Sequence, residues 1–365
     1  MGEETAKRKI EGLGNGIVQE IKAGKNPRFV ASSRTRSNIV YDKKNGYLRL
    51  GPAKEERNFI NVAQAKKFMQ TVAIAAKCHS FLEQNLHTAI RGLFYQLKYT
   101  LGEDVDENIF SEQAESNPLI EDLEVALGVK REELNLYAQR RGVLAGNMRI
   151  IDNFGNQRDE IDCSKMGRSG WAIPSDVDNE IEFIDIKAKY VLVVEKDAVW
   201  QRLNEDRFWK TENCILITPG GQAARGCRRL IRKLADEGLP VYVFTDSDVW
   251  GWYIYWTIKT GSINLAYMGS DVATPEARFI GVSLSDLDKY DFLNKLTINT
   301  TDIDMKRAQE MLGYEWIKQH KEWVVELERM IRNKKKLEQD ALQGKKLTFI
   351  GDYIREKIKN RDFLP

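Results

Sequence analysis

Three acidic side chains follow two apolar runs that have the composition of buried strands. Glu195 comes directly after residues 190–194, and Asp246 and Asp248 follow residues 241–245. Ligands of an open parallel sheet bind outside the carboxyl ends of its strands, so we expect these carboxylates to converge on one place. Three carboxylates that share one place need a cation. Because hard oxygen ligands without His or Cys favour Mg²⁺, which bridges to phosphate oxygens, the pattern predicts a magnesium site that handles phosphate groups.

The stretch between these acidic residues has the pattern of a βαβ unit. An apolar run at 214–218 predicts a second strand, and a helix is predicted over 223–237, where Gly238 and Pro240 stop it. Acidic residues at strand ends are common for solubility alone. A Glu after one strand and an Asp-x-Asp after another, across a crossover, form a far more restrictive combination.

The predicted helix over 223–237 carries arginines off its apolar face, namely Arg225, Arg228, Arg229 and Arg232. By themselves they indicate a solvated helix surface. Beside a metal bound by carboxylates, Arg225, Arg228 and Arg229 become candidate contacts to the phosphate backbone of DNA. Residues 221–226 have the glycine spacing of a P-loop, but Cys227 and Arg228 stand where that motif has Lys and Ser/Thr. We therefore expect no ATP binding through a P-loop.

A tyrosine on a predicted helix is the second candidate for chemistry. Helical periodicity runs over residues 61–85 and resumes from Thr88, a predicted N-cap. At about 100° per residue, Arg91 and Tyr95 lie one turn apart on the polar side of the second helix, with Lys98 below them. Such a residue is most often an ordinary half-exposed aromatic. A phenol, with a pKa of about 10, needs a nearby cation to become a nucleophile, and Arg91 provides one.

The order of elements in the first part of the chain is that of a winged helix, a relative of the helix-turn-helix DNA-binding proteins. A third helix is predicted over 117–128, and a hairpin is predicted over 142–151. Arg140 and Arg141 stand at the base of this hairpin. Together with Lys98, they are candidate contacts to DNA.

The remaining segments give a coarse domain division. Residues 1–60 indicate a charged helix, extended segments and an Asn-Gly hairpin at 38–50, which we interpret as an arm or small sheet suited to holding a partner. Residues 153–187 lack sustained periodicity and are interpreted as a connector with one short strand. A further strand is predicted at 262–268, and helices are predicted from about residue 302 onward.

Composition bounds the class of protein. The 365 residues are 42% hydrophobic and 30% charged, which is typical of a soluble globular protein with two domains. The net charge of +2 does not indicate nucleic acid, so a DNA site must be a local patch. Four widely spaced cysteines without a CxxC spacing favour reduced thiols in a cytosolic protein and argue against a zinc site. No apolar run approaches the ~18 residues of a membrane span.

Three motifs resemble the signatures of one enzyme family. They are Arg91-Gly-Leu-Phe-Tyr95, Val194-Glu-Lys-Asp-Ala198 and Thr245-Asp-Ser-Asp-Val-Trp-Gly-Trp252. Together they resemble the A subunit of archaeal DNA topoisomerase VI, the family shared with the meiotic double-strand-break transesterase. The resemblance runs over nearly the whole chain. The chain departs from the family's pattern at Phe94, where a second Tyr is frequent, and at Val249, where Pro is common.

The resemblance implies a mixed α/β fold. An N-terminal winged-helix domain, similar to that of the catabolite activator, is expected over 61–152 and would carry the tyrosine. A Toprim-type, Rossmann-like domain with a C-terminal helical extension is expected over 188–365. Residues 1–60 would then form an arm that docks a partner, and residues 153–187 would form the connector.

The same resemblance implies an enzyme that cleaves double-stranded DNA. Tyr95 would attack a phosphodiester to leave a 5′-phosphotyrosyl link, with Arg91 stabilising charge at the scissile phosphate. Glu195, Asp246 and Asp248 would be the Mg²⁺ ligands. Family members form a homodimer in which the tyrosine of one protomer meets the metal of the other, and they act with an ATP-hydrolysing B subunit in an A2B2 assembly. A cytoplasmic, nucleoid-associated protein is the corresponding expectation.

Three alternatives stay open at this point. The first is a relative that breaks DNA without resealing it. The second is a Toprim nuclease or a primase-like enzyme that uses the metal and water, with Tyr95 in a structural role. The third is a non-catalytic winged-helix DNA-binding module with a degenerate Toprim fold.

Overall fold

The computed structural model describes residues 2–98, 108–154 and 157–365. The chain divides into two compact units: the first comprises Met1–Ile39 and Leu50–Gln139, and the second comprises Val40–Arg49 and Arg140–Pro365. Residues 1–39 thus lie in the same unit as the helices that follow residue 61. Among the helices of the described ranges, none combines the length and the apolarity that a bilayer crossing requires.

The first unit is mainly helical. In chain order, the elements up to residue 139 are α1 (Gly2–Lys22), β1 (Arg28–Ser32), β2 (Ile39–Asp42), β3 (Tyr47–Leu50), β4 (Lys54–Asn58), α2 (Val62–Gln84), β5 (Thr88–Ala89), α3 (Ile90–Leu97), α4 (Gln113–Leu127) and β6 (Leu136–Tyr137). Strand β1 pairs with β4 in antiparallel fashion, and β5 pairs with β6 in parallel fashion. Strands β2 and β3 form the predicted Asn-Gly hairpin, most of which belongs to the second unit.

Helix α2 confirms the helix predicted over 61–85. The Asn61 side chain accepts a hydrogen bond from the Ala63 N–H at 3.0 Å and so caps the first turn. Asn85, at φ 51°, ends the helix in the left-handed region that Asn tolerates. Between these caps, the buried side of α2 joins α3 and α4 in one apolar core that includes Ile74, Leu93 and Leu123.

Two predicted helix starts are wrong. Helix α4 begins at Gln113, and Pro118, predicted at its beginning, lies inside it. A proline there removes one backbone hydrogen bond, which the remaining turns of the helix tolerate. Thr88 does not cap α3: it lies in β5, paired with β6, and the N-cap position is Ala89, which has no side-chain hydrogen bond to offer.

The second unit contains a larger set of strands and helices. From residue 140 they are β7 (Val143–Gly146), β8 (Met148–Phe154), β9 (Gln157–Asp162), β10 (Trp171–Ala172), α5 (Val177–Glu180), β11 (Ile181–Ile186), β12 (Val191–Val194), α6 (Asp197–Glu205), α7 (Phe208–Thr211), β13 (Ile215–Thr218), α8 (Arg225–Asp236), β14 (Val241–Phe244), α9 (Val249–Thr260), α10 (Gly269–Val272), β15 (Arg278–Gly281), β16 (Ile298–Asn299), α11 (Asp302–Leu312), α12 (Glu315–Lys318), α13 (Lys321–Asn333), β17 (Lys335–Lys336) and α14 (Phe349–Asn360).

A six-stranded sheet forms the centre of this unit, in the order β10-β7-β13-β12-β14-β15. Strand β12 pairs in parallel with β13 on one side and with β14 on the other, and β14 pairs in parallel with β15. Every residue of β12 and β13 is buried, as predicted for strands that are covered on both faces. With α8 between β13 and β14, the predicted βαβ unit is confirmed.

The hairpin predicted over 142–151 is wrong, although both of its strands exist. Strand β7 pairs with β13 and β10 in the central sheet, whereas β8 pairs with β9 and β11 in a separate sheet. A Cβ at Gly146 would lie 2.7 Å from the Cys214 carbonyl oxygen, so glycine lets the end of β7 approach β13 closely. The wing of the predicted winged helix therefore does not lie at these residues.

Two further predictions are wrong. Residues 153–187 are not a connector, because β9 and β11 form a three-stranded sheet with β8. Five of the six residues of β9 are charged or amide side chains, so this strand lacks the apolar alternation that predicts one. Residues 262–268 contain the 3-10 helix Ile263–Met268 rather than a strand. Its buried residues, Ala266 and Met268, lie two apart and so imitate the strand period.

The predicted C-terminal helices are confirmed as α11–α14, and an aromatic cluster fixes α13 to the sheet unit. The ring centroid of buried Trp323 in α13 lies 5.8 Å from that of Trp252, 5.2 Å from that of Tyr255 and 4.9 Å from that of Phe279. Its indole N–H donates to the Pro365 carbonyl at 2.7 Å. The cluster thus joins α13 to α9 and β15 by apolar contact, and a partly buried hydrogen bond joins α13 to Pro365.

Replacing Trp323 by Ala should lower the free energy of unfolding by about 3–5 kcal/mol, because it opens a cavity among rings that pack against it. Guanidinium chloride unfolding followed by near-ultraviolet circular dichroism measures this change. The matched control is Trp250→Ala, whose side chain is half exposed and should cost about 1 kcal/mol or less. Equal losses in the two variants would contradict the importance of the cluster.

Candidate active-site residues: a carboxylate cluster and an exposed tyrosine

The structure brings Glu195 and Asp246 together at the ends of β12 and β14. The Glu195 N–H donates to the Phe244 carbonyl at 3.0 Å, which continues the parallel pairing by one residue. The Asp246 N–H then donates to Glu195 Oε2 at 3.1 Å. Neighbouring parallel strands end at the same edge of a sheet, so the two carboxylates meet there, as the sequence predicts.

Asp248 lies two residues further on and caps α9. Its Oδ1 accepts hydrogen bonds from the N–H groups of Trp250 at 3.0 Å and Gly251 at 2.7 Å. A Cβ at Gly251 would lie 2.4 Å from the Asp246 carbonyl oxygen, so glycine lets the helix start directly against the acidic turn. Capping holds Asp248 at the first turn of α9, where the helix dipole favours its negative charge.

Burial and mutual repulsion dominate the electrostatics of the cluster. Burial, followed by the charge of Asp246, raises the pKa of Glu195 to about 7. Burial also raises the pKa of Asp246, although hydrogen bonds from Gln339 and Lys196 oppose the rise. A carboxyl group with such a pKa gains stability when a cation comes close, because the cation favours its charged form.

A lysine and a distant acidic segment complete the cluster, and sequence reasoning missed both. Lys196 Nζ lies 2.9 Å from Asp246 Oδ2, 3.2 Å from Glu338 Oε2 and 2.9 Å from Asp340 Oδ2. The Gln339 N–H donates to Asp246 Oδ1 at 2.8 Å. Lys196 directly follows Glu195, so the sequence placed it near the site. Glu338 and Asp340 lie more than a hundred residues further along the chain, and no local pattern indicates that they contact Lys196.

The donor set is suited to a hard divalent cation. Glu195, Asp246 and Asp248 offer only carboxylate oxygens, the ligands that Mg²⁺ prefers. Within residues 2–98, 108–154 and 157–365, no three His, Cys, Asp or Glu side chains stand in the arrangement of a ready metal site. In the described arrangement Asp248 caps a helix and Lys196 lies against Asp246. The residues fit Mg²⁺ by chemistry, and the Lys196 ammonium lies against one carboxylate oxygen of this donor set.

Tyr95 lies on the exposed side of α3, as predicted. Leu93, Phe94 and Leu97 form the buried face of this helix, whereas the Tyr95 side chain is 59% exposed. The Arg91 guanidinium carbon lies 5.9 Å from the Tyr95 ring centroid. A hydrogen bond from Arg91, followed by its positive charge, lowers the pKa of Tyr95 below the usual value, and Lys98 contributes least. The tyrosine is thus open to a large substrate and has a cation beside its oxygen.

The predicted DNA contacts fall into two groups. Lys98, Arg140 and Arg141 are exposed. Arg225 and Arg228 are buried, with exposures of 6% and 5%, so the structure contradicts their predicted role. The same correction applies to Arg229, whose Nε lies 3.1 and 3.0 Å from the two carboxylate oxygens of Asp178.

Close packing explains why these arginines of α8 are not solvated. A Cβ at Gly226 would lie 2.3 Å from the Pro174 carbonyl oxygen, so glycine lets the chain before α5 pass directly over the start of α8. Arg228 Nη1 lies 3.3 Å from Ser262 Oγ, and burial lowers its pKa to about 10. The helical period correctly separates the arginines from the apolar face of α8. It does not reveal that a second segment covers them.

Comparison with known proteins gives consistent matches along the chain. A family model for the Toprim domain of Spo11 and of the topoisomerase 6 A subunit matches residues 190–358. One described as type IIB DNA topoisomerase matches residues 66–136. A third, described as an all-beta domain in the DNA topoisomerase VI alpha subunit, matches residues 141–187, the region of the three-stranded sheet.

Individual relatives match over almost the full length. The A subunit of type 2 DNA topoisomerase 6 from Pyrococcus horikoshii is 42% identical, over 98% of this chain and 95% of the relative. That from Hyperthermus butylicus is 43% identical, over 95% of this chain and 93% of the relative. The A subunit of DNA topoisomerase 6 from Arabidopsis thaliana is 33% identical, over 95% of this chain and 79% of the relative.

Replacing Arg91 by Gln should raise the pKa of Tyr95 toward the ordinary value of about 10. The reason is that a hydrogen bond from Arg91 and its positive charge are the two largest causes of the lowered pKa. A pH titration of ¹³Cζ-labelled tyrosine by nuclear magnetic resonance measures it, with Tyr95→Phe assigning the signal. Lys98→Gln is the matched control and should shift the pKa less. A shift in Lys98→Gln as large as that in Arg91→Gln would overturn this account of Tyr95.

Proposed function

Because this chain belongs to the family of the DNA topoisomerase VI A subunit, we propose that it cleaves and reseals duplex DNA as the A subunit of a type IIB topoisomerase. One observation carries the proposal at the level of residues. The same chain presents an exposed tyrosine beside an arginine and a partly buried cluster of carboxylates whose negative charge is incompletely balanced. The first is suited to forming a covalent bond to a phosphate of a polymer. The second is suited to holding a cation.

We propose that Tyr95 is the nucleophile of a transesterification. Its oxygen attacks the phosphorus of a DNA phosphodiester, a bond from Tyr95 to the 5′-phosphate forms, and the bond to the 3′ oxygen breaks. The phenol loses its proton, and the departing 3′ oxygen gains one. Arg91 favours the phenolate before attack and stabilises negative charge at the phosphate. The reverse attack by the 3′-OH reseals the strand without hydrolysis, so the reaction consumes no ATP at this site.

We propose that Glu195, Asp246 and Asp248 hold Mg²⁺. The ion would supply positive charge against the phosphate oxygens while the phosphoryl group is transferred. The residues of the chain orient this site: the Gln339 N–H holds Asp246 Oδ1, and the capping bonds hold Asp248. A water-using nuclease with a structural Tyr95 is the competing function, and the Tyr95 variant below distinguishes the two.

We propose that α2, α3 and α4 are the helices of a winged-helix domain that presents Tyr95 to DNA. Their shared apolar core supports this, while the wing must lie elsewhere than residues 142–151. Lys98, Arg140 and Arg141 are exposed cations suited to phosphate contacts. They position DNA without reading its sequence.

The assembly is part of the same proposal. We propose a homodimer that joins an ATP-hydrolysing B subunit in an A2B2 complex, acting at the nucleoid of the cytoplasm. Residues 221–228 lack the Lys and Ser/Thr of a P-loop, which supports the proposal that a partner subunit hydrolyses the ATP. Residues 1–60 remain our predicted docking region for that partner. The apolar side chains of Ile21 and Ile60 are 58% and 68% exposed there.

Tyr95→Phe should abolish both DNA cleavage and the covalent protein–DNA adduct, because no oxygen remains to attack the phosphorus. The measurement is a sodium dodecyl sulfate trap for protein linked to DNA 5′ ends, with the B subunit, Mg²⁺ and supercoiled DNA. Tyr137→Phe, in the same unit, is the matched control and should cleave normally. Cleavage that persists in Tyr95→Phe would favour the nuclease instead. Strand passage in the wild-type complex excludes the relative that only breaks DNA.

Mixed dimers of Tyr95→Phe with Glu195→Ala should cut one strand only. If the tyrosine of one protomer works with the carboxylates of the other, one of the two sites is intact and the other is doubly defective. Differently tagged copies allow purification of the mixed dimer, and nicked versus linear DNA on a gel is the readout. Each variant alone should bind DNA without cutting it. A mixed dimer without nicking would show that each site uses residues of a single protomer.

A further inference from the structure

The Lys196 ammonium lies among the carboxylates of the site, yet the proposed transesterification does not use it. Its Nζ lies 2.9 Å from Asp246 and from Asp340, and 3.2 Å from Glu338. Only Asp246 belongs to the proposed Mg²⁺ ligands. Lys196 therefore bridges one carboxylate that would bind the metal and two that would not.

The two additional carboxylates are held in place by backbone bonds. Leu337 and Ser247 form an antiparallel bridge, with N–H to carbonyl distances of 3.2 and 2.8 Å. Gln339 is buried and donates its N–H to Asp246. Glu338 and Asp340, on either side of Gln339, have side-chain exposures of 46% and 44%. The pair thus stands beside the proposed metal ligands, in contact with solvent.

We propose that Lys196 is an internal cation that compensates Asp246 in the metal-free protein, and that Glu338 and Asp340 retain its ammonium when a divalent cation takes Asp246. The inference rests on the proposed metal site and concerns how that site is loaded. Mg²⁺ and an ammonium repel each other at one carboxylate oxygen, so the metal displaces Lys196 from Asp246 Oδ2. Because Glu338 and Asp340 remain as its partners, this displacement does not leave a partly buried ammonium unpaired.

Lys196 is thus a positioning residue with two arrangements. Its contact to Asp246 keeps the acidic turn in place before metal arrives, and its contacts to Glu338 and Asp340 remove the competing charge afterwards. A simpler account gives Glu338 and Asp340 a direct role, in which their negative charge attracts the metal. The two accounts differ in whether these carboxylates matter once Lys196 is gone.

Metal affinity in a set of three variants separates the accounts. Mn²⁺ binding to the purified chain is followed by the loss of the free-ion electron paramagnetic resonance signal, with Mg²⁺ as competitor, so no cleavage is needed. Lys196→Met should bind Mn²⁺ roughly tenfold more tightly, because the charge that competes for Asp246 is gone. The double variant Glu338→Gln/Asp340→Asn should bind it roughly tenfold more weakly, the usual size of effect for residues that surround the metal ligands. The triple variant should match Lys196→Met, because the two carboxylates act only through the lysine.

A charge-matched control is available elsewhere in the same unit. Arg355 pairs with Glu212 at 2.6 Å and with Asp352 at 3.1 Å, so Glu212→Gln/Asp352→Asn removes two carboxylates from one cation in the same way. This variant should leave Mn²⁺ affinity unchanged. Circular dichroism melting checks the fold of every variant, and Lys196→Gln replaces Lys196→Met if the latter does not fold.

Three outcomes would overturn the inference. In the first, removing Glu338 and Asp340 weakens Mn²⁺ binding by the same factor in the Lys196→Met background as in the wild-type background. This result would show that the two carboxylates act directly on the metal. Unchanged affinity in Lys196→Met, with weakened affinity in Glu195→Gln, would overturn the role of Lys196 and leave the proposed metal site intact. Unchanged affinity in Glu195→Gln would remove the metal site, and the inference with it.

Discussion

The crowding of negative charge at one edge of the central sheet is the constraint on which the rest of the second unit depends. Strand β12 is apolar and wholly buried, and β14 is buried except at Tyr242, so their polar continuations, Glu195 and Asp246, meet where the strands end. Burying carboxylates without partners is expensive. The fold offsets this cost with the Gln339 N–H, the helix cap at Asp248 and the Lys196 ammonium. The pKa of Glu195, still raised to about 7, shows that the compensation is incomplete.

Part of this compensation comes from the C-terminal part of the chain, which supplies Gln339 to the acidic turn. The aromatic cluster around Trp323 holds α13 against α9 and β15, and Lys334 at φ 52° turns the chain directly after α13. Strand β17 follows, where Lys336 pairs with the buried carboxylate of Asp304 at 3.0 Å. The next residues pair with Ser247 and deliver Gln339 to Asp246. The C-terminal extension is therefore part of the electrostatic environment of the acidic turn.

Helices and strands that a local residue pattern determines could be predicted from the sequence. Strand pairing and ion pairs between residues far apart in the chain could not. Residues 191–194 are apolar throughout and Asn61 begins a clear helical stripe, so the end of β12, both ends of α2 and the meeting of Glu195 with Asp246 could be predicted. Strands β7 and β8 are adjacent in sequence but pair in different sheets, and β9 is almost wholly polar. Arg229 looks solvated until Asp178, fifty-one residues away, is placed against it. Glu338 and Asp340 resemble ordinary surface acids until Lys196 is found between them.

The two halves of the proposed chemistry differ in how much of their activation the chain itself supplies. The carboxylate cluster is partly buried, and the repulsion between its members already favours a cation. Tyr95 is largely exposed, and only Arg91, with a small contribution from Lys98, lowers its pKa. Water screens a single charge beside an exposed phenol, so this arrangement alone makes a weak nucleophile. A strong nucleophile on an open surface would attack any phosphodiester that it met. Withholding full activation until DNA and a cation are both in place confines covalent bond formation to the assembled complex, which is the requirement for an enzyme that must break and reseal the same bond.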